Sequence, residues 1–176
     1  QGALLKDLTQ VLNSDDAETA PVIAPRPVGE DFEALRKRSD AIKAASGTRP
    51  QIFLANLGPV AKHTARATFA KNFFEAGGVE AISTDGFDDM AALSAAFKSS
   101  GATLAVICGA DDQYGSMGGD AAAALKDAGA VQIFLAGKGG ENEAALNSAG
   151  VTDYIFMGAN LLDILSAAYD RLTEAN

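Results

Sequence analysis

Residues 49–78, RPQIFLANLGPVAKHTARATFAKNFFEAGG, decide how this chain folds. Ile52, Phe53 and Leu54 form the short apolar run typical of a strand buried on both faces. Residues 57–62 then leave the carboxyl end of that strand, the place where open α/β sheets hold their ligands. Phe69, Phe73 and Gly77, with Ala70 and Phe74 beside them, make one apolar stripe at helical spacing. A ligand loop in this position is expected to offer acids, hydroxyls or a run of glycines. This one offers Pro59, Val60, Ala61 and Lys62.

The same unit recurs. EAGGVEAI, KSSGATLAVI, KDAGAVQIFL and NSAGVTDYIF each end a helical pattern in small residues plus glycine and run into an apolar strand. Gly77, Gly101, Gly129 and Gly150 fit the left-handed position after a helix, which is costly for a residue with a Cβ. The pattern predicts strands near 51–56, 79–83, 103–108, 131–136 and 153–157, and helices near 63–76, 88–100, 116–128, 141–148 and 160–174. Strict alternation argues for a parallel sheet covered by helices on both faces. With five strands the flavodoxin-like order 2-1-3-4-5 is expected, its switch point between the first and third strands. Phe53, Ala105, Ile107, Phe134 and Ile155 are the expected sheet core.

Composition fits one compact domain with an appendage: 176 residues, 48% of them hydrophobic. A net charge of −9 argues against nucleic acid or an anionic membrane as partner. No apolar run approaches the roughly 20 residues that cross a bilayer. The start, QGALLKDLTQVL, has neither an initiator Met nor the order of a signal peptide, which points to a fragment of a longer polypeptide. Leu4, Leu5, Leu8, Val11 and Leu12 could share one face of a short helix. SDDAETAPVIAPRPVGED, with three prolines, reads as an extended linker. Asp31 is a candidate cap for a second helix, in which Phe32, Leu35, Ser39 and Ile42 share a face. That helix would lie across the sheet domain or reach a neighbouring subunit.

Chemical groups are few. Cys108 is the only cysteine; it gives no disulfide framework, fits a reducing compartment and reads as a small core hydrophobe. His63 is the only histidine, so no site with two His ligands exists within this chain. It is either a ligand at the top of the sheet or a polar residue in a first helical turn. Lys62 would meet an anion near a helix N-terminus, or carry a solvated charge. Asp111 and Asp112 are paired carboxylates after the third strand, or caps for the helix expected after Tyr114. Residues 137–140, GKGG, lack the order of a phosphate-binding loop and read as a glycine-rich turn. Ser116 is outside any nucleophile elbow. No catalytic constellation emerges, and no metal site is expected.

From about Ala24 to its end, the chain resembles the C-terminal region of the small (β) subunit of heterodimeric methylmalonyl-CoA mutases. The resemblance is carried by APRPVGEDFEALRKRSD, by RPQIFLANLGPVAKHTARATFAKNFFEAGGVEAI, and by SGATLAVICGADDQYG and LKDAGAVQIFLAGKGG. It implies a cobalamin-binding-type fold that follows a barrel domain absent from this sequence. Residues 1–30 would be the linker from that domain, 31–48 a connecting helix and 49–176 a degenerate cobalamin-binding-like domain. Cobalamin-binding relatives carry D-x-H-x-x-G after the first strand, and its His coordinates cobalt. Here Val60 stands at the Asp position, Lys62 at the His position and Ala65 at the Gly position. An ammonium nitrogen has no lone pair for cobalt. The S-x-L signature after the third strand is replaced by Gly109, Ala110 and Asp111.

The resemblance therefore implies a non-catalytic, structural domain, without its own cofactor. It would support a heterodimer in the cytoplasm with a large catalytic subunit that carries adenosylcobalamin. The complex would interconvert methylmalonyl-CoA and succinyl-CoA. A second reading is cobalamin binding with His63, or no protein group, on cobalt; His63 would need the helix start re-registered, since adjacent residues point in different directions. A third is an independent flavodoxin-like regulatory or nucleotide-binding domain using Asp111, Asp112 and Lys138. An unfilled apolar cleft is destabilising, so the cleft beside the first and third strands is expected to be closed by Val60, Leu57 and Tyr114, with the helix at 31–44 over a nearby surface.

Overall fold

The computed structural model describes residues 29–174. The expected helix at 4–12 and the linker up to residue 28 lie outside the described residues. Five parallel strands, β1 (Gln51–Asn56), β2 (Glu80–Ile82), β3 (Leu104–Cys108), β4 (Gln132–Ala136) and β5 (Asp153–Ile155), form one sheet in the order β2-β1-β3-β4-β5. This is the expected flavodoxin-like order, with β1 and β3 paired from Ile52↔Leu104 to Asn56↔Cys108. β2 and β5 are shorter than the periodicity suggests, as befits edge strands with one neighbour each.

Alternation along the strands sorts the core into two layers. Ile52, Leu54, Leu104, Val106 and Phe134 face α2 (Val60–Ala76) and α7 (Leu161–Glu174). Phe53, Ala55, Ala105, Ile107, Ile133 and Leu135 face α3 (Met90–Ser100), α5 (Gly119–Asp127) and α6 (Glu143–Ala149). The five expected core residues, Phe53, Ala105, Ile107, Phe134 and Ile155, are all buried. Phe74 seats α2 by packing edge-on against Phe134, ring centroids 5.0 Å apart.

Several local expectations are corrected. Helix α2 starts at Val60, three residues earlier than expected, because extended Pro59 takes the N-cap position and its carbonyl receives Lys62 N–H at 2.8 Å. The left-handed turn after α2 falls on Gly78 (φ 86°), not on Gly77. Gly77 is instead a close-packing position: a Cβ there would lie 2.8 Å from Leu165 Cδ1, so the buried leucine would have to shift. Gly101, Gly129 and Gly150 do adopt positive φ. The helix expected from 116 begins at Asp111, as the short α4 (Asp111–Gln113), and passes through a π-helical segment (Tyr114–Gly118) into α5.

The first described helix, α1 (Glu30–Ser46), is entered from Gly29 and has no side-chain cap, so Asp31 is not its cap. Asp31 lies inside the first turn with Glu30 and Glu33, where carboxylates favour the helix dipole. The helix docks on its own chain. Ser39 Oγ donates to Gly78 O at 2.6 Å, Arg36 Nε to Ala76 O at 3.1 Å, and Arg38 pairs with Asp170 at 2.8 Å. These contacts lie on α7 and where α2 ends before β2. They are not over the carboxyl ends of β1 and β3, so α1 does not cover the switch point.

Phe74→Ala removes a fully buried ring from the α2–sheet interface and should cost about 3–5 kcal/mol in urea unfolding. A loss below about 1 kcal/mol would mean that α2 is not seated on the sheet as described.

Candidate functional site

The carboxyl ends of β1, β3 and β4 converge where a doubly wound sheet normally receives its ligand. Beyond β1, Leu57 N–H continues the ladder by donating to Cys108 O at 2.8 Å. Leu57 is fully buried in the α3 layer. Gly58 then turns with φ +68°, and a Cβ there would lie 2.6 Å from Gln113 Oε1. The chain from β2 folds alongside: Phe87 N–H donates to Asn56 O at 2.7 Å and Gly58 N–H to Phe87 O at 3.0 Å. Gly86 passes so close that a Cβ would sit 1.8 Å from Gly58 O. Asn56 Nδ2 donates to Thr84 O at 2.7 Å, and its buried Oδ1 has no partner among the described residues.

Helical geometry divides the start of α2 between two neighbours. Lys62 and Arg66 are one turn apart and both point at the loop after β3. Lys62 Nζ lies 2.7 Å from Asp112 Oδ2, and Arg66 Nη2 lies 3.1 Å from Asp111 Oδ1. Hydrogen bonding and charge from Lys62 hold the Asp112 carboxyl below its ordinary value. Asp111 and Asp112 therefore do not cap a helix: Ala110 is the N-cap position of α4, and both acids are engaged with α2. His63 points the other way and is buried against Gly86. Its Nδ1 lies 3.1 Å from Gly58 O; a carbonyl only accepts, so Nδ1 carries the proton. Val60, expected to fill the cleft, is instead 66% exposed at the helix tip.

Between β3 and β4 the space is taken by Tyr114. Its hydroxyl donates to Ala136 O at 2.6 Å and accepts from Gly109 N–H at 3.0 Å, joining the ends of the two strands. Burial pushes this hydroxyl well above its ordinary pKa, which keeps the donor proton in place. Burial does the same to the Cys108 thiol, leaving it an unreactive core group. Lys138 of the GKGG turn lies 5.0 Å over the Phe156 ring, not over a phosphate cradle. Ser116 Oγ donates to Asp112 O at 2.9 Å.

These residues do not fit a cobalt-bound corrinoid. Lys62, which the resemblance would set at a cobalt-ligand position, is paired with Asp112. The neighbouring imidazole is turned under Gly86 and bonded to Gly58. Among the described residues no group of three or more His, Cys, Asp or Glu is placed to hold a metal ion, and no helix is long and apolar enough to cross a membrane. Asp111, Asp112 and Lys138 do not converge as a nucleotide site would require: the acids face α2, and Lys138 covers Phe156. Sequence reasoning passed over Arg66, Gln113 and Gly86. The four-residue spacing of Lys62 and Arg66, opposite adjacent acids, was the available signal for Arg66.

The chain is 41% identical over 172 residues to the methylmalonyl-CoA mutase small subunit of Streptomyces virginiae, covering 94% of this chain and 27% of that protein. It is 38% identical over 156 residues to the "Probable methylmalonyl-CoA mutase small subunit" of Mycobacterium tuberculosis, covering 88% and 24%. The small subunit of Propionibacterium freudenreichii subsp. shermanii is 33% identical over 148 residues, covering 83% and 22%. The chain is thus homologous to one part of these proteins and spans about a quarter of their length. No family model matches it.

Gly86→Ala drives a methyl group into a backbone carbonyl and should destabilise the chain by about 3 kcal/mol, measured by urea unfolding. The lowered Asp112 carboxyl sets a second expectation. Its stabilisation is fully present above the unfolded-state carboxylate value, near about 3.9, and is lost as pH falls through the lower folded value. Stability measured from pH 5 downwards should therefore fall less steeply in Asp112→Asn than in wild type. Identical slopes would show that the Lys62 pair does not form in solution.

Proposed function

We propose that this chain is the C-terminal domain of the small subunit of an adenosylcobalamin-dependent methylmalonyl-CoA mutase, and that it serves structurally without binding cobalamin. The observation that carries the reading is the closed switch point. Lys62 and Arg66 are bonded to Asp112 and Asp111 across the ends of β1 and β3, and beside that point Tyr114 is bonded between the ends of β3 and β4. The names of the homologous proteins supply the rest: a small subunit implies a large one.

In this reading the large subunit is the catalytic partner and carries adenosylcobalamin, and the heterodimer acts in the cytoplasm as an isomerase of methylmalonyl-CoA and succinyl-CoA. Residues 1–30 form the linker from a preceding domain, 31–48 the connecting helix and 49–176 the cobalamin-binding-like domain. No catalytic residue is assigned to this chain, and neither nucleic acid nor a membrane is part of its role.

Incubation with hydroxocobalamin or adenosylcobalamin followed by gel filtration should leave no stoichiometric corrinoid on the chain. Restoring the loop motif with Val60→Asp, Lys62→His and Ala65→Gly should not confer tight binding, because the strand ends remain closed. Stable retention by wild type, lost in His63→Ala, would establish cobalt ligation by His63 instead. Deleting this region from a complete small subunit should lower recovery of the large subunit on co-purification. Undiminished recovery would remove the structural role.

A further inference from the structure

The amino ends of β4 and β5 lie at the opposite end of the sheet from the switch point. There α5, α6 and the residues that enter the two strands form a surface cavity of about 300 Å³. That is the lower limit of small-molecule sites, roughly 300–1,000 Å³. Lys126, Val131, Ile133, Asn147, Val151 and Thr152 are among its walls, and none of its lining residues is an acid. In a chain of net charge −9, an acid-free hollow holding a lysine is a local reversal of sign. Its floor is apolar, since Ile133 and Val151 are buried. Val131 on its rim is 43% exposed and, with Val60 and Met157, is among the large apolar side chains that the fold leaves uncovered.

Two polar groups meet this apolar surface with donors unspent. Lys126 stands in the last turn of α5, and its stem runs over Gly150, with Cδ 3.2 Å from where a Gly150 Cβ would be. Among the described residues its ammonium has no ion pair and no hydrogen-bond partner. Asn147, on α6, accepts the Tyr154 hydroxyl on Oδ1 at 2.7 Å. That bond orients the amide and leaves the Nδ2 hydrogens free. The Thr152 hydroxyl is already spent on Ile133 O at 3.0 Å. An ammonium and an amide N–H match the two oxygens of a carboxylate, and the apolar walls match a short hydrocarbon chain. A phosphate would set further oxygens against Val131 and Val151, which costs their desolvation. A cation would find no acid to meet it.

We infer that this cavity is a binding site for a short-chain aliphatic monocarboxylate, with its carboxylate on Lys126 and Asn147 and its hydrocarbon chain against Val131 and Val151. One charge-assisted hydrogen bond at an open surface sets a weak affinity, with a Kd on the order of 1–10 mM. The site is a property of this chain alone. It lies away from the loops after β1, β3 and β4, so it neither needs nor tests the structural role proposed above.

The experiment titrates butyrate into the isotope-labelled 176-residue chain and follows its amide resonances by NMR. Saturable shifts are expected at the Asn147 side-chain amide and at the Gly150 and Val151 backbone amides, with Gly58 and Gly86 at the other end of the sheet unmoved. Lys126→Gln, a change at an exposed side chain, should weaken butyrate binding about tenfold. In the wild-type chain n-butanol, which lacks the charge, should bind about tenfold more weakly, and acetate, which lacks the chain, several-fold more weakly. Phosphate should leave these resonances in place. The ligand series reads the same point without a variant, so a disturbed Lys126→Gln does not protect the inference. No saturation at about ten times the expected Kd, an unchanged affinity in a folded Lys126→Gln, or equal effects of acetate, n-butanol or phosphate would overturn it.

Discussion

Burial of β1 and β3 on both faces is the constraint on which the rest of the structure depends. Ile52 through Leu57 and Leu104 through Cys108 are almost entirely out of water. Two-sided burial demands a helical layer on each side, which the alternation of strand and helix provides. It also removes the strand bodies from any chemistry with solvent. At the sheet itself only the strand ends and the loops beyond them can meet a ligand, and open α/β sheets receive theirs at the carboxyl ends, here after Asn56, Cys108 and Ala136.

Those residues spend their polar groups on one another. Lys62 and Arg66 are tied to Asp112 and Asp111 across the switch point, and the Tyr114 hydroxyl satisfies backbone groups from two strands. The exposed ion pairs are individually worth little, of the order of 0.2–1 kcal/mol. Their geometry matters more than their strength, since they place long side chains over the entrance. The buried phenol contributes more firmly, because losing its hydroxyl would leave a strand-end N–H and a carbonyl without a partner.

The far end of the sheet has a different role. Helix α1 is bound there by Ser39, Arg36 and Arg38 to the chain around Gly78 and to α7. Tyr169 reinforces the junction, its hydroxyl donating to Gly77 O at 2.7 Å beneath Arg38. The segment that enters the domain is therefore anchored where the strands begin, which leaves the loops at their carboxyl ends free of it.

Sequence by itself determined the sheet, its strand order and its core. Apolar strand runs such as Ile52–Phe53–Leu54 and glycines at positive φ such as Gly101 and Gly129 are local signals, and local sterics enforce them. Through a family resemblance it also set Val60, Lys62 and Ala65 against a ligand motif, as an expectation. Only tertiary structure decided where the side chains at the start of α2 go. The direction of His63 follows from which side of α2 meets Gly86, and the role of Asp111 and Asp112 from their distance to a helix some 45–50 residues earlier in the chain. Val60 looked like cleft filling because it is apolar, yet the start of α2 at Pro59 carries it into solvent. The seat of Tyr114 depends on a π-helical turn and on backbone groups at the ends of β3 and β4. No spacing in a one-dimensional pattern reports such contacts, because they exist only once β3 and β4 lie side by side.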